Sequence, residues 1–366
     1  MRDDMDNLDI RLTHLGGRQV QIVVDRPPLG SSRQAAVQLP RAASEYGVVR
    51  LPQAAPEDVR AVGQELFEVF FPAALSELIQ LNLARSRERH GLRLRVDVGG
   101  SRMLAKLPWE SLWNPRESYP YALQRGISLT RFVEVETPSR SLHPAPVLRW
   151  LFAGASPEEV APLDLEGESR LIREGLSHLR EGYRAELIVQ YPVSLRDLES
   201  LLSRYSPQIV YLSAHGFAEE AGEIGLALVH HEKRQMAQVI TPTQLQLLFD
   251  DEHASVGVAV LNACMTGAAS IDLTYGLAEC ILSAGVPSVI AMFDSITDKA
   301  AQALSEGLAN GLAGGDTLDN AVCEGRRMIR QAVSEREWLL PMLFTISSDG
   351  QLWQRAASSA AVPEQP

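Results

Sequence analysis

The chain has 366 residues, of which 45% are hydrophobic and 22% charged, a balance typical of a globular protein with one large domain or two ordinary ones. The net charge of -12 argues against a phosphate backbone as the main partner, so we expect no direct binding of nucleic acid. No run approaches about 18 consecutive apolar residues and the acidic start does not resemble a signal peptide, so we expect a cytoplasmic protein that does not enter membranes.

The first 140 residues predict a small α+β half. Residues 56–89 have apolar positions at helical spacing, interrupted at Pro72, which predicts two helices. The segment "GLRLRVDV", residues 91–98, alternates strictly and predicts a half-buried strand. Pro, Ser and His in residues 137–146 indicate the boundary of this half.

One local stretch, residues 84–96, is basic: "ARSRERHGLRLRV". A basic patch of this kind could contact nucleic acid. The interpretation that we favour is a solvated helix end that runs into a strand with alternating, outward-pointing arginines.

From residue 147 onward the pattern changes to strands that alternate with helices. Ser194 and Thr241 are predicted to cap two of the helices, and two long helices are predicted at about 298–313 and 317–333. The strands "QIVYLSA" and "VGVAVLNA" are continuously apolar, as in a sheet covered on both faces.

The predicted fold class is therefore α/β, with a mostly parallel central sheet flanked by helices and a smaller N-terminal α+β half. We expect the halves to span residues 1–140 and 141–350. Residues 351–366 are small and polar enough to predict a disordered tail.

The chain has three cysteines, Cys264, Cys280 and Cys323, an odd number without paired spacing. This number argues against a disulfide framework and a zinc site, so we expect no metal and no cofactor. Cys280 and Cys323 fall on apolar helix faces and are predicted to be core residues. The adjacent His230 and His231 could bind a metal, but solvated loop residues are the favoured interpretation.

Two predicted strands end on residues that can carry chemistry, His215 in "VYLSAHG" and Cys264 in "VAVLNAC". Ligands gather beyond the carboxyl ends of strands in open α/β sheets. If the two strands are adjacent and parallel, both side chains emerge on the same rim. An imidazole there could accept the thiol proton and later protonate a leaving amine. The N–H groups of Gly216 and Cys264 could stabilise an oxyanion.

A structural role remains the alternative for both residues. A cysteine at the end of a buried strand is more often a small apolar residue than a nucleophile. A histidine that precedes a glycine often simply ends a strand.

The wider sequence resembles a known family. A histidine about 50 residues upstream of a short "NAC" segment resembles the arrangement in caspases. The pattern over about residues 57 to 350 is closer to the CHAT proteases, bacterial relatives of caspases and separase. It rests on the segments "GLRLRVDV", "LPWESLWNP", "VYLSAHG", "GLALV", "VAVLNACMTG" and "GLAECILSAGVPSVIAMF…ITDKAA".

The resemblance implies a caspase-like fold and a role for each motif residue. His215 is then the general base or acid and Cys264 the nucleophile, with the amides of Gly216 and Cys264 as the oxyanion hole. Asn262, two residues before the nucleophile, borders the specificity pocket. Asp298 matches a recurrent acidic position of the family.

Two acidic residues near this position are ambiguous. Asp298 can also be explained as part of a helix start capped by Thr297. Asp294 departs from the family pattern, in which a larger and less acidic residue is expected, and this puts the chemistry of the pocket in question.

The leading hypothesis is a cysteine endopeptidase that cleaves a protein substrate through a Cys–His dyad, kept inactive until a partner or signal orders its loops. Residues 217–240 are the candidate flexible segment, and family analogy suggests a role in antiviral defence. The alternative is a catalytically silent caspase-like scaffold that binds another protein. A nucleotide-binding protein ranks last, because no glycine-rich phosphate-binding motif begins any helix.

Overall fold

The computed structural model describes residues 5–39, 56–87, 91–140, 144–179, 181, 183–218, 224–250, 255–264, 270–333, 336–347 and 354–355. Its strands, in chain order, are β1 (Asp6–Gly16), β2 (Gln19–Asp25), β3 (Arg33–Gln38), β4 (Leu92–Asp97), β5 (Ile127–Phe132), β6 (Pro144–Ala145), β7 (Leu148–Gly154), β8 (Ala185–Gln190), β9 (Ile209–Ala218), β10 (Ile224–Val229), β11 (Ala237–Ile240), β12 (Val258–Cys264), β13 (Ser288–Met292), β14 (Pro341–Thr345) and β15 (Gln354–Arg355).

Side-chain caps begin six of the described helices, at Ser101, Asp164, Ser194, Thr241, Thr297 and Thr317. They are α1 (Pro56–Phe70), α2 (Ala73–Arg87), α3 (Arg102–Ala105), α4 (Leu165–Leu176), α5 (Leu195–Tyr205), α6 (Pro242–Phe249), α7 (Ser270–Ser283), α8 (Asp298–Ala313) and α9 (Leu318–Ala332). Ser194 and Thr241 each accept a backbone N–H and form complete capping boxes, which confirms both predicted helix starts.

Within the described ranges, 13 strands form one sheet, and 11 of them follow the order β11-β10-β9-β12-β13-β14-β5-β4-β1-β2-β3. The strand β7 pairs with β9, and β8 pairs with β7. The pairings of β9 with β12 and of β12 with β13 are parallel, whereas β10 and β11 extend the sheet as antiparallel strands. The structure confirms the predicted α/β class with a mostly parallel central sheet flanked by helices.

The sheet continues across the predicted boundary between residues 140 and 141. The strand β14 pairs in parallel with β5, through Phe344 and Arg131, and so joins the two parts of the chain. The buried apolar side chains nevertheless gather in two clusters, and Tyr275 packs against both. The division into two halves stays a prediction, and the predicted tail, apart from Gln354–Arg355, lies outside the described residues.

The helices α4, α8 and α9 pack side by side and cover the part of the sheet that holds the candidate site. Small residues allow close approach between α8 and α9: a Cβ atom on Gly307 would lie only 2.4 Å from the Cα atom of Gly325. Close packing of this kind fixes the position of α4 over the strand ends, because α4 contacts α8 along its length.

The prediction of outward-pointing arginines in β4 is wrong. The side chains of Arg93 and Arg95 are only 1% and 12% exposed. The reason is that β4 lies between β1 and β5, so it is an interior strand. Arg93 is paired with Asp319 of α9 rather than solvated.

The segment of residues 217–240, predicted as a candidate flexible loop, is mostly extended structure where the structure describes it. The end of β9 pairs with β10, and β10 pairs with β11. Residues 219–223 between them lie outside the description.

No single helix in the described ranges is long and apolar enough to cross a membrane. The bent pair Glu57–Phe70 and Ala73–Ser86 passes that test only when the two helices are taken together, and they meet at 106°.

Candidate active site

The candidate site lies where the parallel pairing of β9 with β12 ends. The strand β12 ends at Cys264, as predicted, whereas β9 continues past His215 to Ala218 and pairs there with β10. The two strands are hydrogen-bonded neighbours over seven residue pairs, and the last pair joins His215 to Cys264. Their preceding residues are apolar and buried, so the core fixes both strands up to the point where the polar residues begin. The condition on which the sequence analysis depended, two adjacent parallel strands, is therefore met.

The His215 imidazole is half-buried and held by the loop that precedes α4. Its Nε2 atom lies 2.7 Å from the carbonyl oxygen of Ala161. A carbonyl oxygen can only accept, so Nε2 carries the proton in this contact. The Nδ1 atom is consequently the ring nitrogen that remains to act as a base.

Cys264 is the last residue of β12, and its side chain and residues 265–269 lie outside the described part of the chain. Gly216 follows His215 in β9 and pairs with Leu226 of β10. The roles predicted for the amides of Gly216 and Cys264 as an oxyanion hole stay predictions.

The other two cysteines differ in burial, so the predicted core position is confirmed for Cys323 and not for Cys280. Cys323 is buried, and burial raises the pKa of its thiol to about 11. Cys280 is only partly buried, and burial together with the charge of Glu279 raises the pKa of its thiol. Neither thiol is therefore activated as a nucleophile.

Asn262, predicted to border the specificity pocket, lies buried two residues before Cys264. Its side-chain Nδ2 donates a 2.9 Å hydrogen bond to Oε2 of Glu168 on α4. Ser213, which is paired with Asn262 in the sheet, donates a 3.0 Å hydrogen bond to Oε1 of the same carboxyl group. A single buried carboxyl group thus contacts both strands just before their ends.

The Glu168 carboxyl group titrates far from its ordinary range. Burial raises its pKa to about 7, against hydrogen bonds from Ser213, Asn262 and Tyr211 that lower it, and the charge of Asp298 raises it further. Glu168 was not among the site residues predicted from the sequence. The available signal was its position in α4, because it lies three residues after Leu165 and four before Ile172 on the apolar face.

Asp294 and Asp298 lie between β13 and the first turn of α8. Asp298 is exposed at the first position of α8, directly after Thr297, whose hydroxyl caps the helix. Asp294 is half-buried, and burial raises its pKa although the Ser295 N–H donates to it. The charge of Asp298 acts on the Glu168 carboxyl group, while the role of Asp298 in substrate binding stays a prediction.

The histidines of the 230–234 turn have structural contacts. The Nδ1 atom of His230 accepts from the N–H groups of Glu232 and Lys233, each at 3.2 Å. His231 lies 3.4 Å from the Ser194 hydroxyl. Within the described ranges, no group of three or more His, Cys, Asp or Glu residues is placed to hold a metal ion.

Replacing Glu168 by glutamine is expected to change how stability depends on pH. The folded protein binds the Glu168 proton more tightly than the unfolded chain, because the pKa is about 7 when folded and 4.5 in the reference state. The wild type should therefore lose about 3 kcal/mol of stability relative to the variant as the pH rises from about 4.5 to 7.

Thermal unfolding at several pH values measures this difference in stability. The melting temperature of Glu168→Gln should rise relative to the wild type through that pH window and stay level above it. Glu166→Gln, an exposed change on the same helix, should show no such trend. If the difference in melting temperature between Glu168→Gln and the wild type is the same at every pH, the pKa of Glu168 is not raised in the folded protein.

The fold and the strand ends together define a mixed α/β protein in which a histidine and a cysteine occupy paired positions at one rim of the sheet. The chain belongs to the CHAT domain family, which matches residues 60–359. A search of curated proteins finds no match.

Several solved structures are similar to this chain at low identity. One is the Arg-specific cysteine proteinase gingipain R, with 12% identity, a TM-score of 0.48, and coverage of 84% of this chain and 76% of that one. A second is Porphyromonas gingivalis RgpB in a complex of its pro- and mature domains, with 10% identity, a TM-score of 0.47, and coverage of 78% and 71%.

A third similar structure is the Saccharomyces cerevisiae separase–securin complex. It has 10% identity, a TM-score of 0.48 and coverage of 94% of this chain. This chain spans only 30% of the chain that it matches there.

Proposed function

We propose that this chain is a cysteine endopeptidase in which Cys264 is the nucleophile and His215 its general base and acid. The observation that carries the proposal is the register of the sheet, which makes these two residues the last pair of the parallel ladder between β9 and β12. Strands in one sheet lie about 4.8 Å apart, a spacing that suits a Cys–His pair. Membership of the CHAT domain family supports the same function.

The chemistry follows from the tautomer of His215. With its Nε2–H donated to Ala161, the imidazole can take the Cys264 proton on Nδ1. The thiolate sulfur then attacks the scissile carbonyl carbon, and the amides of Gly216 and Cys264 stabilise the oxyanion. The imidazolium returns the proton to the leaving amine, and water hydrolyses the acyl-enzyme in the second half of the reaction.

The proposal extends to the substrate and its control. The substrate is a protein, Asn262 borders the pocket for the side chain before the scissile bond, and Asp298 lies at its edge. Activity depends on an activating protein or signal, and the biological role is antiviral defence. Family resemblance supports these parts, and the catalytic test below does not depend on them.

The first test is the alkylation rate of each cysteine by iodoacetamide, followed by mass spectrometry as a function of pH. Near pH 7, Cys264 is expected to react at least about tenfold faster than Cys280 or Cys323, because a paired imidazole lowers the pKa of a thiol. His215→Ala should remove that advantage.

His178→Ala serves as the matched control, because His178 is exposed and lies elsewhere on the surface. It should leave the rate at Cys264 unchanged. If Cys264 reacts like an ordinary thiol with and without His215, the result favours the catalytically silent scaffold. Repeating the labelling with candidate partner proteins then tests for activation.

A further inference from the structure

The buried carboxyl group of Glu168 is positioned to act on the candidate catalytic pair. Its two oxygens accept hydrogen bonds from Ser213 at 3.0 Å and from Asn262 at 2.9 Å. Ser213 precedes His215 by two residues, and Asn262 precedes Cys264 by two residues. Glu168 thus connects β9 to β12 through side chains as well as through their backbone ladder.

The two-residue period of a strand places these four positions on one face of the sheet. The register pairs Asn262 with Ser213 and Cys264 with His215. The two polar donors therefore form the layer that directly precedes the catalytic layer. A change in the Glu168 contacts acts on the residues next to the dyad.

The groups that face Glu168 come from three neighbouring elements. Tyr211 and Ser213 belong to β9, Asn262 to β12, and Asp298 to α8. The strand β7 is covered at Gly154 by the apolar side chain of Leu165. Burial is the largest influence and raises the pKa to about 7, so the carboxyl group gains or loses its proton near neutral pH.

The amide of Asn262 has an unused acceptor. Its Oδ1 atom is buried and has no hydrogen-bond partner in the described structure, while its Nδ2 donates to Glu168. A protonated Glu168 has an O–H to donate, and the amide can receive it by turning over so that Oδ1 faces the carboxyl group. Protonation therefore exchanges the atom that Asn262 directs toward Glu168.

We propose that Glu168 is a positioning residue of the candidate active site, which in its ionised form holds Ser213 and Asn262 together and on protonation turns the Asn262 amide over. This inference rests on the proposed function. It adds that the buried Glu168 carboxyl group, which does not contact the substrate, controls the positions of His215 and Cys264.

The test is the full pH profile of Cys264 alkylation by iodoacetamide, from about pH 5.5 to 9, in the wild type and Glu168→Gln. The wild-type profile is expected to contain an ionisation near neutral pH that the variant lacks. At about pH 8 the variant should react three- to tenfold more slowly, because an NH2 group, which only donates, replaces one of the two oxygens that accept from Ser213 and Asn262. Glu166→Gln, which removes an exposed charge from the same helix, should retain the wild-type profile.

Two further variants distinguish positioning from a purely structural role. Glu168→Asp keeps the charge and should keep the ionisation, although the rate falls. Ser213→Ala removes one of the two donors and should move the ionisation to higher pH. Ser213→Ala also supplies the answer if Glu168→Gln fails to fold.

The outcomes separate this inference from the proposed function. If Cys264 depends on His215 but neither Glu168→Gln nor Ser213→Ala alters the shape of the profile, the positioning role is overturned and the dyad stands. If Cys264 is no more reactive than Cys280 and does not depend on His215, both alone and with the candidate partner proteins, both the inference and the proposed function are overturned.

Discussion

Replacing Arg131 by methionine is expected to lower the free energy of unfolding by about 3–5 kcal/mol. The guanidinium of Arg131 donates to both carboxylate oxygens of Glu110, at 3.0 and 2.5 Å, and both side chains are only 1% exposed. Its Nη1 also donates to the Tyr275 hydroxyl at 2.5 Å. In the variant the Glu110 carboxylate stays buried but loses the positive charge of Arg131. Burial of a charge without its partner accounts for most of the expected loss of stability.

Urea unfolding of the purified protein measures this loss. The double variant Arg131→Met with Glu110→Met should recover much of the stability, because it leaves no unpaired buried charge. Arg149→Met, which breaks an exposed ion pair with Glu186, should cost less than about 1 kcal/mol. Equal losses in Arg131→Met and Arg149→Met would show that burial of the pair does not matter.

Asp319→Asn is expected to destabilise the protein by a similar amount, about 3–5 kcal/mol. The Asp319 carboxylate lies 2.5 Å from Nη2 of Arg93 and also accepts from the Ser128 hydroxyl. The exposed fractions of the Arg93 and Asp319 side chains are 1% and 2%. The amide keeps the shape of the side chain but removes the charge, so the buried Arg93 guanidinium loses the negative charge that it faces in Asp319.

The neighbouring Asp316 offers the matched control. It pairs with Arg125, whose side chain is 53% exposed, so Asp316→Asn should cost less than about 1 kcal/mol. Both variants carry the same chemical change just before or within α9. A loss in Asp319→Asn no larger than that in Asp316→Asn would argue against a stabilising role for the buried pair.

The sequence predicts the local elements well where the physical cause is local. The start of α8 at Asp298 follows from the Thr297 cap, and the break between α1 and α2 follows from Pro72. The continuously apolar strands that end at His215 and Cys264 likewise indicate a sheet covered on both faces.

What the sequence does not reveal depends on contacts between distant residues. Arg93 and Asp319 are 226 positions apart. The alternating pattern of β4 alone therefore predicts a half-exposed strand and does not reveal the buried partner of Arg93. Glu168 was overlooked for the same reason, since its donors belong to two strands that come later in the chain. The adjacency of β9 and β12 could be stated only as a condition, because strand order is a property of the whole sheet.

The pairing of β14 with β5 has a practical meaning for attempts to shorten the protein. A fragment that lacks the first 140 residues would lose β5. The strand β14 would then lie at the edge of the sheet, and its unpaired backbone groups could pair with strands of other molecules. The same cut would remove Arg93 from Asp319. In the full chain β5 covers this edge of the sheet, so we expect the fragment without residues 1–140 to aggregate more readily than the full chain.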